Sequence, residues 1–322
     1  MATTQAPDLI IDNELVRLGI VETLEQNVDG FNSASNGTIT LGSQAIENDF
    51  ADESFIKALT AAQLVQHRDY NSVLDVTPEK LIEDAINSVK LSRRYGPFST
   101  TYDAWNRSNR SVETFSLAIG KQLGVAIQAD MLNSLIVAGI AALQATQAKI
   151  GDGTQVFDYT NIVDGLATLG DKAGAIKMLA MHSNTYFSMV DKGLSMNALD
   201  TIGGATIREG GAYSLGLPVL VTDSSALAMT AGYGILGLTE GALNAVESDQ
   251  TIMRADDVLL KANLEHIIQG EGSYNASVKG CKFDTAFPNP EDADLGTIAN
   301  WSYLFSDVKS GAGFLLNLAP RA

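Results

Sequence analysis

No proline interrupts the chain between Ser111 and Lys149, and this stretch constrains the fold more than any other. Within it Val112, Phe115, Ile119, Leu123, Ile127, Leu132, Ile136, Ile140 and Leu143 recur close to the helical repeat. The spacing predicts one helix of roughly 57 Å at 1.5 Å per residue, longer than a compact domain requires. Gly120, Gly124 and Gly139 are candidate bend points, and the Ile150-Gly-Asp-Gly-Thr154 segment ends the helix.

Other elements arrange themselves around it. Residues 1 to 55 have no sustained period and read as an extended arm with a turn cluster from Gly30 to Gly37. Thr77 as N-cap and Pro78 at N1, followed by Leu81, Ile82, Ala85, Ile86 and Val89, predict an amphipathic helix to about Leu91. Gly96 and Pro97 break it and leave an exposed basic, aromatic-bearing loop reaching Arg110. A helical pattern from Asn161 to Gly193 surrounds Met178 to Met181, and glycines 203, 204, 210 and 211 mark a loop. Gly216 to Asp223 and Tyr233 to Leu238 read as buried strands, and Val258–Ile268 with Asn275–Phe283 as a hairpin about Gln269-Gly-Glu-Gly-Ser273. Pro290 at N1 begins a short helix whose Leu295, Ile298 and Trp301 share a face. The fold class is α+β.

Charge narrows the function. The chain has 322 residues, 45% hydrophobic and 18% charged, with a net charge of −17. It is long enough to bury a core without metal or disulfide staples, and its single cysteine, Cys281, forms no intrachain disulfide. Such an acidic chain argues against a surface that grips nucleic acid. The charge is uneven: Lys90, Arg93, Arg94, Arg107 and Arg110 face only Asp103 within one short segment, whereas residues 1 to 65 carry ten acids against Arg17 and Lys57. These are either two solvated faces or opposite charges that meet between copies of a homo-oligomer. No secretory signal is read at the start, and the longest apolar run, Leu135 to Leu143, falls short of the about 20 residues that cross a bilayer, so no membrane association is expected.

Catalytic and metal chemistry finds little support. His67, His182 and His266 are scattered, with no HExxH and no paired cysteines, so no metal or cofactor is expected. His182, Asp223 and Ser224 allow a serine-hydrolase reading on paper, but the G-x-S-x-G elbow is missing. Asp256-Asp257 and Glu291-Asp292 lack the alternating ligands of a cation loop. Tyr95, Phe98, Tyr102 and Trp105 interleave with the basic residues, which suits an intersubunit contact better than a single-strand platform on so acidic a chain. Lys90, Arg93, Arg94, Phe98, Trp105, Arg107 and Arg110 are therefore the candidate contact residues.

Three stretches resemble the major capsid proteins of tailed bacteriophages, whose Hong Kong 97-type fold is shared with encapsulin shells. They are Met178-Leu-Ala-Met-His-Ser-Asn-Thr-Tyr186, Gly216-Leu-Pro-Val-Leu-Val-Thr-Asp-Ser224 and Asn289-Pro-Glu-Asp-Ala-Asp-Leu-Gly-Thr-Ile-Ala-Asn-Trp301. The resemblance implies an N-terminal arm (1–61), an extended loop (62–110), a peripheral domain (111–154 with its spine helix, and 246–322) and an axial domain (155–245). It further implies a non-enzymatic protein that forms pentamers and hexamers of an icosahedral head around double-stranded DNA. Portal, scaffolding and decoration proteins would be partners, with assembly in the host cytoplasm. An encapsulin-like compartment is the alternative. The long N-terminal extension of protease-processed members is not seen in the sequence.

Overall fold

The computed structural model describes residues 13–43, 50–56, 70–71, 83–101, 112–146, 148–196, 207–208, 214–259, 262, 265–305 and 307–321. The expected long helix is present as one element, Val112–Ala145. We call it α2, because a helix α1, Asn13–Ala34, precedes it. That corrects the expectation of a patternless arm over these residues. Val16 and Ile20 of α1 are fully buried against α2, with Leu24, Val28 and Phe31 packed at the edge of the same core. The two helices run parallel at backbone contact. A Cβ on Gly120 would lie 2.4 Å from the Val16 carbonyl oxygen, so this glycine serves close approach rather than a bend.

Two large sheets flank α2. The first has strand order β1-β10-β11-β3-β2, with β1 Ile39–Ser43, β2 Phe50–Ile56, β3 Glu83–Thr101, β10 Leu243–Val258 and β11 Glu265–Val278. From Glu83 the helix expected to run to Leu91 is instead the start of β3, its earlier part from Thr77 lying outside the described residues, and the basic loop expected from Gly96 is, as far as Thr101, the continuation of β3. The hairpin expectation also shifts: Gln269 to Ser273 lie inside β11, and the reversal falls between Val258 and Glu265. Gly270 belongs in a strand because Met253 lies over it, with its sulfur 2.1 Å from where a Cβ would stand.

The second sheet contains β4 Lys149–Ile150, β5 Ile176–Met181, β6 Ile207–Arg208, β7 Val219–Val221, β8 Ala228–Met229, β9 Gly232–Thr239 and β14 Gly313–Leu318. Met178–Met181, expected in a helix, form β5. The helices beside it are α3, Tyr159–Ala167, and α4, Ser183–Met196. This sheet is buried on both faces. Met178, Ala180, Leu236, Leu238 and Leu315 point into the core that contains α2, whereas Leu179, Met181, Ile235, Phe314 and Leu316 point into a second core with Ile162 of α3 and Met189 of α4. A continuous apolar run is what two-sided burial demands.

A small pair, β12 Cys281–Phe283 and β13 Trp301–Tyr303, and the short helix α5, Asp292–Leu295, complete the fold. Pro290 precedes the N-cap, Glu291, and Ile298 is exposed while Leu295 and Trp301 are buried, so the three do not share a face. The glycine-marked loop between α4 and β7 lies mostly outside the described residues. By length and composition alone, Ser116–Ala145 is apolar enough to cross a membrane, but its apolar residues are used in the core between α1 and the sheets.

Candidate assembly surfaces

The candidate contact residues are dispersed by the fold. Arg93 is turned inward near the middle of β3, where its Nε donates to Asp130 Oδ2 of α2 at 2.7 Å. Its Nη2 reaches Asp292 Oδ1 and Oδ2 of α5 at 2.7 and 2.8 Å, Ser134 Oγ at 3.0 Å and Tyr274 Oη of β11 at 3.0 Å. Tyr274 donates to Asp130 at 2.7 Å and Ser134 to Asp292 at 2.8 Å. The guanidinium carbon also lies 5.3 Å from the Tyr274 ring centroid. Burial opposes the charge on Arg93, but the Asp130 hydrogen bond, the Tyr274 hydroxyl and the Asp292 bond outweigh it, so the guanidinium is held above its ordinary range. Burial likewise keeps the Tyr274 hydroxyl protonated, Ser134 opposing and the Asp130 charge adding to the effect. Arg93 thus ties four elements of its own chain together, a role that sequence reasoning missed. No local motif announces it, because its partners lie 37 to 199 residues away.

Lys90, Arg94 and Phe98 lie on the same strand, Lys90 half-buried before Arg93 and the other two after it. Arg94 is exposed, in register with Glu271 of β11, and Phe98 is 44% exposed, paired with Ile268. Trp105, Arg107 and Arg110 lie outside the described residues. The structure therefore leaves Arg94 and Phe98 exposed, and commits Arg93 within the chain.

The serine-hydrolase reading fails on geometry. Ser224 donates to Asn133 of α2 and caps the short helical turn that follows it, accepting from Ala226 N. His182 Nδ1 accepts from Asn184 N at 3.1 Å, so its proton is on Nε2, directed to Asp223 Oδ1 at 3.7 Å. An imidazole with its acceptor nitrogen already engaged cannot take a proton from Ser224, and no His182–Ser224 contact occurs. Among the described residues no group of three or more His, Cys, Asp or Glu could hold a metal ion. The acidic pairs are otherwise employed: Asp257 meets His266 Nδ1 at 2.7 Å, Glu291 caps α5, and Asp292 holds Arg93.

The model of the major capsid protein 13-like family matches residues 8–315. The chain belongs to that family. It is a phage major capsid protein, and its mixed helix and sheet architecture matches phage capsid structures. A chain of Mycobacterium phage Cain is similar at 12% identity and a TM-score of 0.51, covering 89% of this chain and 90% of the other. A chain of Microbacterium phage Oxtober96 gives 13%, 0.51, 89% and 90%. At so low an identity these two likenesses carry the fold alone. Comparison with curated proteins found no match.

Proposed function

We propose that this capsid protein forms the pentamers and hexamers of an icosahedral head enclosing double-stranded DNA, as a non-enzymatic component of the virion assembled in the host cytoplasm. The observation that carries this reading is the long sheet. β3, β10 and β11 extend well past β1 and β2, which pair only at one end, and such strands have little use in an isolated monomer. In this reading 155–245 is the axial domain, 111–154 and 246–322 the peripheral domain, 62–110 the extended loop and 1–61 the arm. α1 is the part of the arm folded back on its own core, and β14 returns to the axial sheet. Lys90, Arg94, Phe98, Trp105, Arg107 and Arg110 contact the acidic surface of a neighbour, and portal, scaffolding and decoration proteins complete the particle. The net charge of −17 supports an inner wall that repels DNA and lets the genome move during packaging.

Expression with and without a co-expressed scaffolding protein tests this, read by electron microscopy and by light scattering across a concentration series. Capsomers or closed shells with a steep concentration dependence are expected, because many modest interfaces are repeated by symmetry. A protein that is monomeric at every concentration, with or without scaffold, overturns the reading.

A further inference from the structure

β10 is 16 residues long, yet β1 pairs only with Leu243–Glu247. The next described strand, β2, lies on the opposite edge of the sheet, beside β3. Beyond Glu247, β10 therefore has β11 on one side and, among the described residues, no strand on the other. The first part of this free edge is irregular, with register shifts against β11 between Glu247 and Asp249 and again before Ile252. From Ile252 to Val258 the pairing is regular, running from Ile252 opposite Glu271 to Val258 opposite Glu265. A regular open edge of seven residues is a template for another strand, and proteins that avoid such pairing cover the edge or interrupt it with proline or lysine. Ile-Met-Arg-Ala-Asp-Asp-Val contains neither residue.

This edge is complementary to itself. Turned about Ala255 into an antiparallel pair, the segment sets Arg254 opposite Asp256, Asp256 opposite Arg254, and Ile252 opposite Val258 at both ends. Residues 252, 254 and 256 are all exposed, Ile252 by 51%, and they share one face of the strand. On the other face Ala255 meets Ala255, and each Asp257 opposite Met253 is drawn aside toward His266 of its own chain. A one-residue slip would place every Arg254 and Asp256 on the wrong face, so the charges fix the register. The sum is one ion pair and one apolar pair, each repeated once by a twofold axis, with no unmatched charge on the exposed face.

We propose that residues 252–258 of β10 pair antiparallel with the same residues of a second copy across a twofold axis, joining two three-stranded sheet ends into one six-stranded sheet. The proposal rests on the shell reading, because it requires a homo-oligomer. A different partner on the same edge, such as a decoration protein or another segment of the chain, is an outcome of the test below.

The test is cysteine crosslinking in the full chain during assembly. Cα atoms directly opposite in an antiparallel pair are about 4.5–5.5 Å apart, within the span of a disulfide. Ala255→Cys is therefore expected to give a covalent dimer on mild oxidation. Ile252→Cys and Val258→Cys alone should give none, and equal mixing of those two variants should restore it. Native Cys281 is fully buried and does not interfere. A charge series provides a second readout: Arg254→Asp and Asp256→Arg should each lower particle yield several-fold, and the double exchange should recover it. Particles that form normally while Ala255→Cys stays monomeric under oxidation overturn the twofold pairing and leave the shell reading intact, whether the thiol is accessible to maleimide or covered by another partner. Wild-type protein that forms no particles overturns the shell reading itself.

Discussion

The two large sheets are built on opposite terms. In the sheet containing β5, β9 and β14 these three strands are buried on both faces by residues of the same chain, and Phe314 is held between Gly165 of α3 and Gly237 of β9, where any Cβ would strike the ring at 2.3–2.4 Å. In the far half of the β3–β10–β11 sheet, Phe98, Ile252 and Leu259 are exposed apolar residues, and both outer edges, β10 beyond Glu247 and β3 beyond Val89, have no described partner strand. The two cores on either side of β5, β9 and β14 are filled within one polypeptide. The far half of the β3–β10–β11 sheet leaves apolar residues uncovered, and stability measured on the isolated chain is expected to report mostly the sheet containing β5, β9 and β14.

The comparison is broken most sharply at Phe314. Phe314→Ala leaves a cavity between two glycines that cannot fill it, and should cost about 3–5 kcal/mol in chemical denaturation. Ile252→Ala should change the same measurement by less than about 0.5 kcal/mol, yet lower the denaturant midpoint of assembled particles. Where the two regions join, Arg93→Ala leaves Asp130 and Asp292 without their cation. A fully buried pair broken in this way costs about 3–5 kcal/mol, and since both carboxylates are about 40% exposed we expect about 2–3 kcal/mol. Arg94→Ala should leave monomer melting unchanged within about 0.5 kcal/mol and act only on assembly. Gly120→Ala forces α1 away from α2 and should cost about 1–3 kcal/mol, with Val16 and Ile20 losing burial.

The smallest effect at neutral pH belongs to Cys281, whose thiol is pushed up to about 12 by burial. The unfolded thiol ionises first, so this contribution to stability is fully present below the unfolded value near 9 and is lost as pH rises toward 12. Thiol labelling at pH 8 should therefore follow unfolding. Rapid labelling of native protein would show that the β12–β13 region opens locally.

How much of this was legible depends on where polar residues point. The long helix and strands β7 and β9 were readable because their inward positions are apolar. β3 was not: its inward positions run Asn87, Val89, Leu91, Arg93, and half of them are polar residues satisfied by distant partners. Asn87 donates to the Phe283 carbonyl at 2.9 Å and accepts from the Phe283 amide at 2.7 Å, a pairing no local pattern reveals. With the period of two thus hidden, Leu81, Ile82, Ala85, Ile86 and Val89 imitate a helix. β5 was misread for the opposite reason, since a strand buried on both faces has no alternation left. α1 carries only a narrow stripe, Val16, Ile20, Leu24 and Val28, because a helix docked through glycine needs little apolar width. Among the candidate site residues, the sequence reading put the basic cluster on a helix end and a loop where the described part is strand β3, and it did not separate Arg93, which holds the fold, from Arg94 at the surface.

The position of Arg93 also makes β3 a lever. From Arg93 to Thr101 the strand projects about 27 Å past the point where helix, sheet and α5 are tied together. A rotation of about 5° at that fulcrum sweeps the tip through about 2 Å, more than the tolerance of a hydrogen bond. The placement of that far half relative to the core is therefore set by a guanidinium and two carboxylates near the middle of the strand.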